Sequence, residues 1–546
     1  MTKVKLSIPF VVFLLTLHLS NQLIFLFFDV TKGPDFTVYS TYFDYFFNNE
    51  KFVQREQGLA YYFFNSLILK FYNTYYEFNE IKYLLNKSIY TSNNLIYFFG
   101  ILGYFNLLKH FKFSTKNIFI SLSFLNFFPI TFMLRMTIKP EILAFSLFPW
   151  ILLFFEKYFD TKKIIYFFFS IPFLTILLTS KGSIFAVSSV FFTLYFFKRF
   201  KYINKKQIIY IIITACIFFF MTTFENQKSG ISNIFDISSG AGESILEDAE
   251  KYNNTAPFSI IYKVNFFNLF TSPIYNIHKD SFISITLLDT FGDYFKLYWN
   301  NNDSEFFKNR NELINIVKTN EIKRPNLDSN NLLNIYVQKN TDIYLRETIS
   351  LLLGGLFFSF LIINIFRKSK FNLFLISPFI GATLILIHVI TGFPKNNFDP
   401  LRGDSLKPFY FSFLLSLSFI FLMLIYLKRN KKTKYLLIPY IVVILVLIGF
   451  PKNFEYQNDQ ILELNKYSST CKLNSLFIEN QYEKYFCKTP FKFDNESEFL
   501  QYSQKLKIPV FQSIQLLSIL SIGFYLSFSS LTFKIKLSNI RSRITK

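Results

Sequence analysis

Twelve strongly apolar segments recur along this chain and constrain its fold more than any other feature. They are residues 6–28, 95–108, 118–134, 142–155, 164–179, 184–197, 208–224, 349–366, 371–390, 409–427, 435–450 and 510–531. Apolar segments of about 20 residues predict membrane-spanning helices, and flanking Tyr, Trp and Lys extend the shorter ones into the interface. A hydrophobic share of 51%, with 21% aromatic residues and a mean hydropathy of +0.29, makes the chain too apolar for a soluble protein of this length. We therefore expect an all-α polytopic membrane protein with about twelve transmembrane helices.

The short loops between these segments alternate in charge. Residues 1–5, 109–117, 156–163, 198–207, 367–370, 428–434 and 534–546 together hold 26 Lys and Arg residues, whereas residues 135–141, 180–183 and 391–408 hold 6. Basic loops stay on the cytoplasmic side of a membrane. This pattern predicts a multi-pass protein of the inner (cytoplasmic) membrane with both termini cytoplasmic. The long loops 29–94, 225–348 and 451–509 are then extracytoplasmic.

Two further features follow from this topology. Residues 59–72 are apolar but interrupted by Asn65 and Lys70, and a span there would reverse every later loop. We therefore expect an interfacial helix at residues 59–72. The net charge of +22 is spread over the membrane boundaries, where Lys and Arg bind anionic lipid headgroups. Membrane lipids are thus expected partners, and nucleic acid is not.

Candidate catalytic residues lie in the first outer loop. Gly33-Pro34 breaks the chain just before Asp35, and Asp44 follows within a Tyr-rich stretch. A carboxylate at a low-dielectric boundary has a pKa shifted toward that of a useful general base. The alternative is that the chain leaves the first helix here and Asp35 is an ordinary helix N-cap. The spacing alone leaves both open.

Candidate phosphate-binding cations occur in three other outer turns. They are Arg135 and Lys139 beside Glu141, Lys181 in Thr179-Ser180-Lys181-Gly182-Ser183, and Arg402 and Lys407 just before Pro408. Cations at a helix entrance bind phosphate, and the free N–H groups of the helix add to the attraction. The alternative is that they anchor short helices at the interface.

The second outer loop offers a candidate sugar-binding sequence. Asp289 and Asp293 flank Gly292 among aromatic residues, including Tyr294. Carboxylates bind sugar hydroxyls, and aromatic faces stack on the C–H side of the ring. An ordinary Asp turn is the alternative.

In the third outer loop, Cys471 and Cys487 predict a disulfide in an oxidising compartment, with two free thiols as the alternative. We find no His/Cys spacing typical of a metal site.

The order of these motifs resembles that of the C-type integral-membrane glycosyltransferases, in the branch of protein O-mannosyltransferases and the lipid A aminoarabinose transferase. The motifs are Asp35, Arg135-x-x-x-Lys139-Pro140-Glu141, Thr179-Ser180-Lys181-Gly182-Ser183, Asp289-Thr290-x-Gly292-Asp293-Tyr294 and Gly403-Asp404-x-x-Lys407-x-x-Tyr410. The resemblance covers roughly residues 6–427. It divides the chain into a glycosyltransferase-like domain, residues 1–427, and a C-terminal two-helix region, residues 428–546, with the outer loop 451–509.

The resemblance implies that an inverting enzyme transfers a sugar from a polyprenyl-phosphate-linked donor to a lipid, glycan or protein acceptor at the outer face. Asp35 corresponds to the catalytic base. Phe36 replaces the second acidic residue of many members, so Asp44 is an alternative base and a divalent metal cofactor stays open. The implied donor-phosphate ligands are Arg135, Lys139, Lys181, Arg402 and Lys407. The implied sugar or acceptor ligands are Glu141, Asp289, Asp293, Tyr294, Asp404 and Tyr410.

Two other functions compete with this interpretation. The sequence Arg55-Glu56-Gln57-Gly58-Leu59-Ala60-Tyr61-Tyr62, after an early Asp-x-x-x-Tyr, is similar to polysaccharide polymerases that join lipid-linked repeat units. A lipid-linked glycan flippase or transporter is the other alternative. Transporters typically show internal repeats and paired broken helices, and we find neither pattern in the sequence.

Overall fold

The structure is a computed structural model and consists almost entirely of helices. It describes residues 7–27, 42, 46, 58–75, 81–199, 209–210, 212–217, 220, 264, 266–271, 281–292, 341–367, 371–384 and 407–447. No strand occurs among these residues. The prediction of an all-α fold is therefore confirmed for the described part of the chain.

Fourteen α-helices can be followed in the described residues. They are α1 (Ile8–Phe27), α2 (Ala60–Tyr75), α3 (Ile81–His110), α4 (Thr115–Asn126), α5 (Pro129–Met136), α6 (Glu141–Thr161), α7 (Ile164–Ser180), α8 (Gly182–Arg199), α9 (Phe266–Thr271), α10 (Phe282–Asp289), α11 (Thr341–Phe366), α12 (Asn372–Ile376), α13 (Ser412–Arg429) and α14 (Leu437–Leu447). Three 3₁₀ turns adjoin them: Ser377–Ala382, Pro408–Phe411 and Lys431–Leu436. Helices α3, α6 and α7 pack side by side, and α13 packs across α4 and α6.

Three described stretches are long and apolar enough to cross a membrane. They are Glu141–Thr161, Leu345–Phe366 and Pro408–Arg429, and the bent pair of α4 and α5 would make a fourth. The count of twelve spans stays a prediction, because several described apolar helices are shorter than a membrane crossing requires. The last predicted segment, residues 510–531, lies outside the described residues.

The outward faces of the helices are apolar. On α1 the exposed side chains include Ile8, Leu15 and Leu19, which lie on one side of the helix. Helix α11 exposes Leu352 and Leu356 in the same way. Water-soluble proteins rarely expose large apolar surfaces, whereas lipid-facing helices do so along most of their length. These faces, together with the apolar spans, are those of a membrane protein.

The predicted segment 118–134 is not one helix, and this corrects the sequence interpretation. Helices α4 and α5 meet at an angle of 61° around Phe127 and Phe128. Pro129 has no N–H with which to bond the Leu125 carbonyl, so the helical hydrogen-bond ladder breaks here. The Thr131 hydroxyl donates to that carbonyl instead, at 2.9 Å. The Leu125 carbonyl is therefore hydrogen-bonded despite the bend, and hydropathy alone does not reveal this bend.

Two helices begin earlier than predicted. Helix α3 starts at Ile81 rather than at residue 95, and α11 starts at Thr341 rather than at residue 349. The extra part of α3 is polar, and Ser88, Ser92 and Asn93 are buried there. The polarity of these residues predicted a loop. In the structure the side chains of Ser92 and Asn93 form hydrogen bonds inside the bundle, so the stretch can be helical and buried. The predicted helix at residues 59–72 is observed as α2, whose 16 residues are short for a membrane crossing.

The described short loops around α6 lie at two opposite ends of this helix, as their predicted classes require. Helix α6 carries Glu141 at its first residue and Glu156 fifteen residues later, which places them about 22 Å apart along the axis. The Glu156 carboxylate accepts hydrogen bonds from Arg199, and His110 lies 3.1 Å from Asp160, so the basic loops meet at this end. The Glu141 end is described below. Which compartment each end faces stays a prediction.

Candidate functional site

Three turns meet at the Glu141 end of the bundle. The first joins α5 to α6 and contains Lys139, the second joins α7 to α8 at Lys181, and the third is the 3₁₀ turn Pro408–Phe411 after Lys407. The 3₁₀ turn packs against α5, α6, α8 and α10. The local sequence produces each turn. Pro140 ends the first, Lys181 is fully extended between two helices, and Pro408 occupies the first position of its turn.

The centre of this site is an ion pair between α6 and the α7–α8 turn. Lys181 Nζ lies 2.7 Å from Glu141 Oε1, and the two side chains are 15% and 0% exposed. Burying a carboxylate is strongly unfavourable unless a cation or hydrogen bonds compensate for its lost hydration. The ion pair therefore fixes the position of the α6 N-terminus relative to the α7–α8 turn.

The Tyr410 ring links two of the predicted cations. Lys181 Nζ lies 4.4 Å from the centroid of this ring, and Lys139 Nζ lies 6.0 Å from it. Lys139 Nζ also lies 5.7 Å from the Phe409 ring. Ammonium groups within about 6 Å of an aromatic face are attracted by its quadrupole. Two cations that are far apart in the sequence thus share one aromatic surface.

Lys407 begins the third turn and is only 2% exposed. Its carbonyl oxygen accepts a hydrogen bond from the Tyr410 amide at 3.1 Å, so Lys407 lies one turn from the ring that Lys139 and Lys181 contact. Lys139 is also 2% exposed. We refer to Lys139, Lys181, Lys407, Glu141 and Tyr410 as the lysine cluster.

One oxygen of the lysine cluster has no hydrogen-bond partner. Glu141 Oε1 bonds Lys181, whereas Glu141 Oε2 is buried and accepts no hydrogen bond in the structure. A buried polar atom of this kind is rare, because its lost hydration is uncompensated. Glu141 Oε2 is therefore available to a hydroxyl or N–H donor that enters the site. A sugar hydroxyl is such a donor, and the adjacent Tyr410 ring offers a stacking surface.

Arg135 lies outside the lysine cluster, although it shares a sequence motif with Lys139 and Glu141. It is fully buried, and its guanidinium donates hydrogen bonds to the side chains of Ser20 and Asn21 on α1. Further hydrogen bonds reach the carbonyl oxygens of Thr131 and Asn126. Arg135 thus joins α1 to the α4–α5 bend. Its predicted phosphate contact stays a prediction, and we build the candidate site without it.

The remaining predicted site residues fall into two groups. Asp289 is the last residue of α10 and is buried, on a helix that contacts the 3₁₀ turn Pro408–Phe411. The others lie outside the described residues: Asp35, Asp44, Asp293, Tyr294, Arg402, Asp404, Cys471 and Cys487.

Two residues beside the lysine cluster had no site role in the sequence analysis. Tyr61 on α2 and Asn93 on α3 both hydrogen-bond the turn that carries Lys139. Tyr61 was named only within the polymerase-like sequence, and no local pattern pointed to Asn93. Gly58, just before α2, donates its N–H to the Ser180 carbonyl at 2.9 Å. A Cβ at Gly58 would collide with the Thr179 carbonyl, so only glycine permits this close approach beside Lys181.

The described residues do not by themselves form a divalent metal site. Hard cations such as Mg²⁺ take several carboxylate or carbonyl oxygens. In the described part of the chain, no group of three His, Cys, Asp or Glu side chains converges, and Glu141 is paired with Lys181.

Comparisons with known proteins give no match. Neither a protein-family model, nor a curated protein, nor a solved structure is similar to this chain at a significant level.

Proposed function

We propose that this protein is an integral-membrane glycosyltransferase that moves a sugar from a polyprenyl-phosphate-linked donor to a lipid, glycan or protein acceptor. The observation that supports it best is the lysine cluster. The Lys181–Glu141 ion pair and the Lys139 ammonium meet at the Tyr410 ring at one end of an apolar helical bundle, and the buried Lys407 lies just before the 3₁₀ turn that carries this ring. The resemblance of the motif order to C-type glycosyltransferases supports the same reaction.

The site chemistry suits a phosphate leaving group. In the donor, the phosphodiester carries one negative charge. When the bond between the anomeric carbon and the phosphate oxygen breaks, its electron pair goes to that oxygen and the leaving phosphate gains a second charge. Ammonium groups already held in a water-poor site stabilise this developing charge without reorganising. Lys139, Lys181 and Lys407 take this role in the proposal.

Carboxylates act on the acceptor and on the sugar: one takes the proton of the acceptor hydroxyl, and another binds a sugar hydroxyl. The acceptor hydroxyl gives its proton to a base, for which the family resemblance favours Asp35 and then Asp44, and its oxygen forms the new bond to the anomeric carbon. Glu141 Oε2 accepts a hydrogen bond from a sugar hydroxyl while Oε1 stays with Lys181. The Tyr410 ring lies beside the same ion pair and stacks on the sugar.

The proposed location follows from the lipid-linked donor. Its tail must stay in hydrocarbon while its phosphate reaches the polar end of the bundle. We therefore place the lysine cluster at the extracytoplasmic face of the inner membrane. The apolar outward faces of the helices and the low Lys and Arg content of these three turns support this placement.

A polysaccharide polymerase is the second candidate, and one observation favours it. Gly58 belongs to the sequence Arg55-Glu56-Gln57-Gly58-Leu59-Ala60-Tyr61-Tyr62 that resembles polymerases, and its N–H donates to the Ser180 carbonyl next to Lys181. The two functions differ in their products. A transferase adds one sugar per acceptor, whereas a polymerase yields a ladder of lengths from lipid-linked repeat units.

The proposal is tested by transfer in membranes that contain the overexpressed protein. A radiolabelled polyprenyl-phosphate sugar is supplied, and label in acceptor glycolipid, glycan or protein is measured. We expect Lys181→Met to reduce transfer at least tenfold, because the leaving phosphate loses a charge partner. The matched control is Lys157→Met, which removes an ammonium group near the C-terminal end of α6, where it contacts the Tyr166 ring of α7 at the opposite end of the bundle from Glu141. Equal transfer by Lys181→Met and wild type would contradict the proposal.

A further inference from the structure

A buried tyrosine hydroxyl on a neighbouring helix contacts the turn that carries Lys139. Tyr61, in the first turn of α2, donates to Asn93 Oδ1 at 2.8 Å, and its hydroxyl also lies 3.3 Å from the Thr137 carbonyl oxygen. Tyr61 is fully buried. Burial raises the pKa of the Tyr61 hydroxyl well above its usual value, so the hydroxyl stays protonated and remains a donor.

Asn93 completes this contact from α3. Its Nδ2 group donates to the Thr137 carbonyl at 2.9 Å and to the Arg135 carbonyl at 3.1 Å. The Arg135 carbonyl is in the last turn of α5 and the Thr137 carbonyl lies just after it, where carbonyls have no intrahelical partner. Asn93 and Tyr61 thus replace the missing helical hydrogen bonds. They fix the path of the chain from the end of α5 to Lys139.

The same turn of α2 also contacts the first outer loop. The Tyr42 ring stacks on the Tyr62 ring with centroids 4.2 Å apart, and Phe46 lies 5.7 Å from Phe63. In the sequence, Tyr42 and Phe46 stand two residues before and two residues after Asp44. The start of α2 therefore touches residues on both sides of a candidate base and also the turn with a candidate phosphate ligand.

We propose that Tyr61 is a positioning residue, which through Asn93 and the Thr137 carbonyl holds the Lys139–Glu141 turn in register with the first outer loop. This inference rests on the proposed function for its catalytic meaning. Its structural part, that the Tyr61 hydroxyl orders the turn, holds for any reaction at this site. Tyr61 touches neither donor nor acceptor in this role.

The first test measures order in the turn and needs no substrate. Tyr61→Phe keeps the ring and removes the hydroxyl. The control is Tyr104→Phe, because Tyr104 is also a fully buried tyrosine, lies on α3 and donates to a carbonyl oxygen, that of Phe413. Hydrogen exchange of the purified protein in detergent is followed by mass spectrometry. We expect the backbone amides of residues 137–139 to exchange about tenfold faster in Tyr61→Phe and at the wild-type rate in Tyr104→Phe. Unchanged exchange in Tyr61→Phe overturns the inference.

The second test separates positioning from general stability and from the proposed function. Transfer from the polyprenyl-phosphate sugar is measured for the same variants. We expect Tyr61→Phe to raise the donor KM by about tenfold, with a smaller change in kcat, since the displaced turn carries a donor ligand. A fall in thermal stability equal to that of Tyr104→Phe, with no change in KM, contradicts positioning. If the wild type transfers nothing while the exchange result holds, the proposed function fails and the ordering of the turn stands.

Discussion

Lys181 and Glu141 lie 40 positions apart in the sequence, and their side chains meet at 2.7 Å between Nζ and Oε1. Lys181 is in the turn between α7 and α8, and Glu141 begins α6. Both positions were predicted to lie on the same side of the membrane from loop charge alone. The contact brings two separate sequence motifs into one site. It also leaves the second Glu141 oxygen buried without a hydrogen-bond partner.

The ion pair itself gives the first prediction. Glu141→Gln keeps an acceptor for Lys181 but removes the negative charge and turns part of the carboxylate into an N–H donor. We expect transfer to fall about tenfold and the protein to be less stable, because a buried ammonium loses its counter-charge. Transfer rate and thermal unfolding in detergent are measured. In a double-mutant cycle, Lys181→Met should cost much less in the Glu141→Gln background than in wild type. Additive effects would show that the two residues act independently.

Lys407 gives the second prediction. Lys407→Met removes a buried ammonium at the entrance to the 3₁₀ turn, and we expect a donor KM raised at least tenfold. Lys407→Arg should retain part of the activity, since the charge is kept while the geometry changes. The donor dependence of transfer is measured for both variants. Wild-type kinetics in Lys407→Met would mean that this side chain is an interfacial anchor.

The base gives the third prediction. Asp35→Asn is nearly isosteric but accepts no proton, and we expect transfer to fall by about 100-fold or more, the range for loss of a general base. Asp44→Asn should cost less. Membrane insertion is checked by the amount of protein in the membrane fraction. If only Asp44→Asn abolishes transfer, the base is Asp44. Normal transfer by both variants would contradict the mechanism.

The bend between α4 and α5 gives the fourth prediction, which concerns stability alone. Thr131→Val removes the hydroxyl that bonds the Leu125 carbonyl in place of the missing Pro129 N–H. We expect the free energy of unfolding to fall by about 0.5–1.5 kcal/mol, the net contribution of one hydrogen bond, because the Leu125 carbonyl still accepts the Phe128 N–H at 3.0 Å. The donor KM should not change. The control is Thr161→Val at the exposed end of α6, where the Thr161 hydroxyl also donates to a helix carbonyl. Equal stability of the two variants would contradict this explanation of the bend.

The sequence predicted the parts of this fold that depend on simple patterns. The apolar segments that the structure describes are mostly helical, because burying or lipid-solvating an apolar face stabilises a helix regardless of its neighbours. The charge of short loops placed Lys139, Lys181 and Lys407 on one side, and their turns do meet. Tyr410 was singled out by the resemblance, through the motif Gly403-Asp404-x-x-Lys407-x-x-Tyr410.

Other features depended on contacts that no local pattern encodes. Arg135 and Lys139 stand four positions apart in the sequence, yet the Arg135 guanidinium bonds Ser20 and Asn21 inside the bundle while Lys139 lies beside Tyr410. Which way each side chain turns is decided by the helices packed around it. The polar stretch around Asn93 likewise predicted a loop. In the structure Asn93 is a buried residue of α3, and its side chain donates hydrogen bonds to carbonyls at the end of α5.

The most direct test of the lysine cluster is equilibrium binding of polyprenyl phosphate, the proposed leaving group, to the purified protein in detergent. The uncharged polyprenol of equal chain length serves as the comparison ligand. We predict that wild type binds the phosphate at least tenfold more tightly than the alcohol, and that Lys139→Met with Lys181→Met removes this preference while Lys157→Met keeps it. Equal affinity of wild type for the phosphate and the alcohol would contradict a phosphate site at Lys139, Lys181 and Lys407.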